Sequence, residues 1–298
     1  MISWHDEYPF ESRFLELEGT RLHYVDEGPK ESLQSIVCVH GNPTWSFYYR
    51  SIIKQFRTHY RCLAIDHVGC GLSDKPQKYD YCLANHTANL VEWLDRLDLE
   101  NIVLVVHDWG GAIGLGAAVA RPNRIAKLLI LNTAAFPPPF IPLRIAACRL
   151  PYIGSAAIRY LNAFAGMATW MAIDRLSSLS KVAREGLLYP YHSPANRIAI
   201  DRFVQDIPMD RSHRTYSVLE HLEQELKSIA EKPTRFVWGM KDWCFRPECL
   251  TRLRVAFPAA SVRELKDVGH YVMEEANVEV IEELENLLMQ VEHPKELP

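Results

Sequence analysis

The chain has 298 residues, 48% hydrophobic and 23% charged, with a formal net charge of −4 at pH 7. That size and balance describe a soluble globular chain of one large or two ordinary domains and exclude a basic nucleic-acid footprint. Seven scattered cysteines without a C-x-x-C pair favour reduced thiols in a cytoplasm over disulfides or a metal site, and neither a signal peptide nor an apolar run of ~18 residues that could span a membrane is visible.

Residues 14–17 and 22–25 flank Glu18-Gly19-Thr20 and predict a β-hairpin. Residues 36–39 predict a short buried strand running into His40-Gly41-Asn42-Pro43-Thr44-Trp45. A helix over 46–56 and a strand over 60–66 follow, then a glycine-punctuated loop to Asp74. In that loop Gly69-Cys70-Gly71-Leu72-Ser73 reads as a backbone turn rather than a phosphate cradle. Residues 82–97 have helical periodicity. The run Ile102-Val103-Leu104-Val105-Val106 predicts a parallel strand, apolar on both faces. His107-Asp108-Trp109-Gly110-Gly111 then opens a helix-compatible run to Ala120, ended by Pro122, and residues 125–132 form a further buried strand.

The pattern breaks after Asn132. Pro137-Pro138-Pro139 and Pro142 interrupt the chain, and residues 143–211 are helical without clear strands, with helices over 156–171 and 180–188. This reads as a helical cap, with ordinary peripheral helices as the alternative. The chain then divides into core (residues 1–132), cap (133–213) and core again (214–298). A linking helix over 217–231, strands over 234–239 and 261–265, a closing helix over 278–291 and a loose tail over 292–298 complete it. Strands alternating with helices mean a doubly wound, mostly parallel sheet flanked by helices, with ligands outside the carboxyl ends of its strands. Asn42, Asp108 and Asn132 fall at such ends.

Asp108 sits where a strand turns directly into a helix, with small residues behind it. Taken alone it reads equally as a nucleophile or as an N-cap. Gly269-His270-Tyr271 follows the last strand, where a base belongs. Asp242 lies past the preceding strand, where an acid can orient an imidazole, though an Asp there also suits capping the next helix. Asp267 competes for the acid role but sits on the histidine's own loop, and Glu264 reads as a solvated strand residue. The loop at Asn42 offers a backbone N–H and a side-chain amide, and Trp109 adds an indole N–H that can only donate. A carboxylate is suited to displacing a leaving group at an sp³ carbon, giving an ester of Asp108 that water activated by His270 then cleaves. His107 reads as buried and hydrogen-bonded, and Trp45 and Phe47 as packed beneath the cap. Phe136, Phe140, Phe164, Met167 and Trp170 either line an apolar pocket or belong to plain core.

Together His40-Gly41-Asn42-Pro43-Thr44-Trp45, His107-Asp108-Trp109-Gly110-Gly111, Gly239-Met240-Lys241-Asp242 and Gly269-His270 resemble the haloalkane dehalogenase family, over nearly the whole chain and least in the cap. The resemblance implies an α/β-hydrolase fold with Asp108 as nucleophile, His270 as base, Asp242 as acid and Asn42 with Trp109 as the halide-stabilising pair. It implies no cofactor, and a small apolar substrate, water and a halide ion as partners; a homo-oligomer is compatible with it. One branch of the family takes its acid as a Glu after the strand that ends here at Asn132, so the present pattern resembles the third subfamily. The same combination also resembles the β-lactone decarboxylases of long-chain olefin synthesis, which the catalytic residues do not separate from dehalogenases. Epoxide hydrolases are a third neighbour. They need two cap tyrosines, for which Tyr152, Tyr160, Tyr189 and Tyr191 are available, but they usually carry an aromatic residue where Asn42 stands. A ligand-binding receptor on this scaffold usually has a broken triad, and here all three members are present.

Overall fold

The short apolar runs become the strands of one eight-stranded sheet in the computed structural model, which describes residues 3–174 and 179–290. Helix α1 (Trp4–Glu7) precedes the hairpin β1 (Arg13–Leu17) and β2 (Thr20–Glu27). Then come β3 (Ser35–Val39), a 3₁₀ turn leading into α2 (Arg50–Phe56), β4 (Arg61–Ile65), α3 (Leu83–Arg96), β5 (Ile102–Asp108), α4 (Trp109–Ala120) and β6 (Ile125–Thr133). Five helices stand between β6 and the next strand: α5 (Leu143–Cys148), α6 (Ile153–Leu161), α7 (Ala163–Met171), α8 (Lys181–Leu188) and α9 (Ile198–Gln205). The chain returns through α10 (Arg214–Glu225), β7 (Thr234–Gly239), α11 (Pro247–Ala256), β8 (Ser261–Leu265), α12 (Val272–Glu275) and α13 (Asn277–Met289).

The strand order is β1-β2-β4-β3-β5-β6-β7-β8, with β2 antiparallel to both of its neighbours, β1 and β4, and every other pair parallel. Every residue of β3, β5 and β6 is buried, because helices cover both faces of the sheet. From β3 the chain crosses to β4 on one side, then back over α3 to β5 on the other. The carboxyl ends of β3 and β5 therefore diverge into a crevice at the reversal. Beneath α8, Trp45 donates its indole N–H to the Gly186 carbonyl at 3.0 Å, and Phe47 lies against Gly186, as expected of residues packed under the inserted helices.

The expected single helix over 156–171 is two. Asn162 adopts a left-handed conformation (φ +52°) that ends α6 and starts α7, a break hidden by the helix-forming alanines on either side. Helices α1 and α11 were not anticipated, although α11 carries Pro247 at its first position. The tail over 292–298 lies outside the described residues. Among those described, no helix is long and apolar enough to cross a membrane.

Candidate active site

Asp108 is the last residue of β5 and holds φ +53°, ψ −132°, a conformation that costs a non-glycine residue free energy and persists only where its surroundings enforce it. The enforcement is local. A Cβ at Gly110 would strike the Val39 and His40 carbonyls, and one at Gly41 would overlap the Asp108 carboxylate itself. These glycines let the β3 loop, the elbow and α4 close on one another. The Asp108 side chain makes no capping bond to α4. Instead its Oδ1 accepts the backbone N–H of Asn42 at 2.5 Å, and the carboxylate also accepts that of Trp109.

His270 Nε2 stands 3.7 Å from Asp108 Oδ2. On its other side, His270 Nδ1 donates to Asp242 Oδ2 at 2.8 Å. Asp242 Oδ1 accepts the N–H groups of Cys244 (2.7 Å) and Phe245 (3.0 Å), so this carboxylate is held in its turn and does not cap α11, whose N-cap is Arg246. Asp267 is exposed on the loop before His270. Burial works against a charged imidazole at His270, but the Asp242 carboxylate, with Asp108 beyond it, outweighs this and holds the pKa above its ordinary value. Burial pushes the Asp108 carboxyl up, opposed by His270 and the two N–H groups. The imidazole and the carboxylate thus face one another across 3.7 Å, with two backbone N–H groups directed at the carboxylate.

Asn42 Nδ2 donates to the Ile200 carbonyl of α9 at 3.3 Å, tying the loop after β3 to the inserted helices. Its Oδ1 is buried without a partner among the described residues. Asn132 is buried and exchanges two bonds with the Gly239 backbone, at 3.0 and 2.7 Å, so it staples β6 to β7. His107 donates from Nε2 to the His270 carbonyl at 2.9 Å, and burial holds it neutral well below its usual range. In the 69–73 turn, Gly69 and Gly71 take positive φ while Leu72 N–H and Ser73 Oγ bond to Asp66, a buried backbone device.

A cavity of about 370 Å³ opens from this group, with Asn42, Asp108, Trp109 and His270 among its lining. Elsewhere the wall is apolar. Phe136, Phe140, Phe164 and Met167 line it as one of the two sequence readings allowed, whereas Trp170 lies outside beneath the Arg184 guanidinium. Trp243 and Phe245, unread from the sequence, complete the aromatic lining, and their position right after Asp242 was the available signal. Of the tyrosines at 152, 160, 189 and 191 none lines the cavity. Tyr152 is 91% exposed, and Tyr191 is buried with its hydroxyl on the Thr44 carbonyl.

The sequence profile of the α/β hydrolase fold matches residues 34–277. A cis-3-alkyl-4-alkyloxetan-2-one decarboxylase of Shewanella oneidensis is 42% identical over 290 residues, covering 95% of this chain and 90% of the relative. One from Xanthomonas campestris is 38% identical over 280 residues (90% and 92%). Haloalkane dehalogenase 2 of Mycobacterium tuberculosis is 33% identical over 273 residues (90% and 92%). Among solved structures, the haloalkane dehalogenase DatA from Agrobacterium tumefaciens C58 superposes with a TM-score of 0.83 at 26% identity, covering 93% of this chain and 96% of that one.

Proposed function

This chain belongs to the α/β-hydrolase fold family, and from that premise we propose that it is an enzyme that decarboxylates an apolar β-lactone, an oxetan-2-one with two alkyl arms, through Asp108. The observation that carries the reading is the likeness over nearly the whole length, at 42% and 38% identity, to decarboxylases of such lactones. The second of the two activities resembled by the sequence motifs thereby moves ahead of the first.

Asp108 Oδ2 attacks the ring carbon that bears the lactone oxygen, that C–O bond breaks, and the ring opens to a carboxylate beside an alkyl ester of Asp108. The carboxylate then leaves as carbon dioxide. Its bonding electrons become the C–C double bond, and the ester C–O bond breaks to return Asp108 as a carboxylate. Inversion in the first step followed by anti departure in the second turns a cis lactone into a cis alkene, and no water is consumed. Asn42 and Trp109 suit this route because they can hold a carboxylate leaving group but have no proton to give at neutral pH. His270, whose pKa Asp242 holds up against the effect of burial, stabilises the Asp108 carboxylate as it departs. Residues 133–213 act as a cap that supplies the apolar lining.

A second reading is favoured by the pairing of the Asn42 amide with the Trp109 indole beside the nucleophile and by the 33% identity to a dehalogenase. In it a halide leaves from the sp³ carbon, His270 deprotonates a water, and hydrolysis of the Asp108 ester gives an alcohol. Opening of an epoxide has less support, since no cap tyrosine reaches the cavity to protonate the alkoxide. The test is to incubate the protein in parallel with a long-chain β-lactone and a bromoalkane and to measure carbon dioxide and bromide. Carbon dioxide from the lactone at the higher kcat/KM supports the first reading, and bromide without carbon dioxide replaces it with the second.

A further inference from the structure

Two adjacent glutamates, Glu274 and Glu275, end α12, and the fold takes both side chains out of water. A buried carboxylate persists only where donors replace its hydration. Glu274 meets that need with an arginine: Arg50 donates from Nη1 and Nη2, at 2.6 and 2.8 Å, and neither residue lines the cavity. Glu275 meets it with backbone. Its Oε1 accepts the Gly269 N–H and its Oε2 the Asp174 N–H, each at 2.9 Å. The first donor immediately precedes His270, and the second lies just past the end of α7.

The same two stretches are bonded in the other direction as well. The Ala172 carbonyl accepts the N–H groups of His270 (2.8 Å) and Tyr271 (2.9 Å). The loop carrying His270 is therefore tied to residues 172–174 both directly and through one side chain. Glycine at 269 is a condition of this closeness. A Cβ there would stand 2.9 Å from Glu275 Oε1 and 3.0 Å from both the Ala172 oxygen and the Asp174 nitrogen. The loop carrying Asp242 is fastened to the same strip, since Trp243 donates its indole N–H to the Met171 carbonyl at 2.7 Å and Lys241 pairs with Asp174 at 2.7 Å.

We propose that Glu275 is a positioning residue of the active site, whose carboxylate clamps the His270 loop onto the end of α7 and so sets the imidazole between Asp108 and Asp242. Two convergent N–H groups need an acceptor at each end of one planar group, which a carboxylate supplies and a carboxamide does not. His270 Nε2 must hold its 3.7 Å approach to Asp108 while Nδ1 keeps its bond to Asp242. A misplacement of about 1 Å in such a group costs on the order of 100-fold in rate. The inference rests on Asp108 and His270 being the reacting pair, as proposed above, and not on which substrate they take.

Glu275 also directs charge at the ring. Burial lowers the His270 pKa, and Asp242, Asp108 and Glu275 raise it, in decreasing order. The other titratable neighbours are neutral: burial holds His107, its ring 4.5 Å from that of His270, in the uncharged form, and leaves Tyr271 and Cys244 protonated. On its far side Glu275 acts on Lys241, which is already paired with Asp174. A side chain that only fills space would leave the titration of His270 where it is, whereas removing a carboxylate from this place moves it to lower pH.

The test is Glu275→Gln in the full chain, which keeps the size, loses the charge and turns an N–H group against one of the two backbone donors. With whichever of the β-lactone and the bromoalkane is turned over, kcat is expected to fall about 10–100-fold while KM changes less than about threefold. The titration of His270, followed by NMR in histidine-labelled protein and assigned by the signal missing from His270→Ala, should move to lower pH. It needs no substrate, so it tests the clamp even if neither compound reacts and the proposed function falls. Glu275→Asp keeps the charge but is one methylene too short to reach both N–H groups. It is expected to bring the titration back towards that of the unaltered protein while kcat stays low. A folded Glu275→Gln with kcat within about twofold, or with an unmoved His270 titration, overturns the proposal. If the variants do not fold, hydrogen exchange in the unaltered protein decides. The Asp174 N–H, outside any helix, should exchange at least about 100-fold more slowly than in an open chain, and free exchange there overturns the clamp.

Discussion

The two walls of the cavity are built on different terms. On the sheet side, Asp108 is gripped by two backbone N–H groups and Asp242 by two more plus the His270 ring, all of them on turns that follow strands. The opposite wall, from the segment after β6 through α7, is Phe136, Phe140, Phe164 and Met167, apolar side chains on a segment fastened to the sheet side at its far end, where the Ala172 carbonyl after α7 accepts the N–H groups of His270 and Tyr271. A group that must sit within a fraction of an ångström of a reacting atom is held by backbone hydrogen bonds and by strands whose register cannot slip. A wall that only recognises alkyl chains needs volume and apolarity, and side chains there can change without moving the elbow. On the proposed function, the chemistry belongs to one wall and the choice of substrate to the other.

The sharpest way to break that division is at Asp108. Asp108→Asn keeps the size and the N–H contacts but removes the nucleophile, and a loss on the order of 10⁴-fold or more in kcat/KM is expected with an unaltered circular dichroism spectrum. Retention of activity within tenfold would mean that the reacting group lies elsewhere. His270→Ala sharpens the same point by mass spectrometry. With a bromoalkane, an adduct should accumulate on the peptide carrying Asp108, because only its hydrolysis needs the base. With a β-lactone the ester can fragment without water, so carbon dioxide should still form, more slowly for want of the imidazole beside the departing carboxylate, rather than the reaction stopping at a stable adduct.

Asp242→Asn comes next. A misoriented base costs on the order of 10³–10⁴-fold in the serine-protease precedent, and a comparable loss in bromoalkane turnover is expected here, against a near-normal rate for the exposed Asp267→Asn. The sign of the pH effect follows from the same pair. Asp242 holds the His270 pKa up, and hydrolysis of the alkyl ester needs the neutral ring, so bromoalkane turnover should rise with pH through an inflection above the ordinary histidine value. With Asp242 gone, burial dominates and that inflection should move to lower pH. An inflection that stays in place would detach Asp242 from His270.

Trp109→Phe tests the boundary between the walls, since it keeps an aromatic side chain and the backbone N–H while removing the indole N–H. A charge-assisted donor is worth about 1.5–3 kcal/mol, so a loss of roughly 10–100-fold in turnover is expected. Bromide should change the tryptophan fluorescence of the unaltered protein saturably and that of the variant less. Quenching that climbs linearly with bromide in both would reflect collisions with the other six tryptophans.

What was legible in the sequence divides along the same line. Asp108 and Asp242 stand just past short apolar runs, and such runs announce themselves because inner parallel strands are buried on both faces. The strand at 234–239 was placed to the residue for that reason, whereas the strand before His270, at 261–265, is an edge strand that is largely unburied. In the inserted helices the periodic signal is ambiguous, since residues there are apolar towards the cavity, the core and solvent alike. The break at Asn162 is a single residue's left-handed backbone, which asparagine permits but does not announce. Trp170 and Phe164 belong to the same helix, and which of them meets the cavity depends on how that helix is rotated against its neighbours.

The smallest expected effect is the one that tests the apolar wall itself. Ala168 on α7 lines the cavity and is only partly buried, so a larger side chain can enter the lumen without overpacking the sheet. In Ala168→Phe the lost volume should fall on the far end of a long alkyl arm. Each methylene kept out of the apolar wall forfeits about 0.8 kcal/mol, a factor of roughly four, so exclusion of two or three methylenes should lower kcat/KM for the longest substrates by about 10–100-fold. Substrates too short to reach α7 should be unaffected, and the Asp108 adduct in a His270→Ala background should form at the same rate with a short bromoalkane. A homologous series of substrates separates the outcomes. A drop that grows with chain length leaves the two walls independent. A uniform drop across all lengths would mean that α7 also positions the reacting carbon over Asp108, most directly through Ala172 at its end, whose carbonyl accepts the His270 and Tyr271 N–H groups.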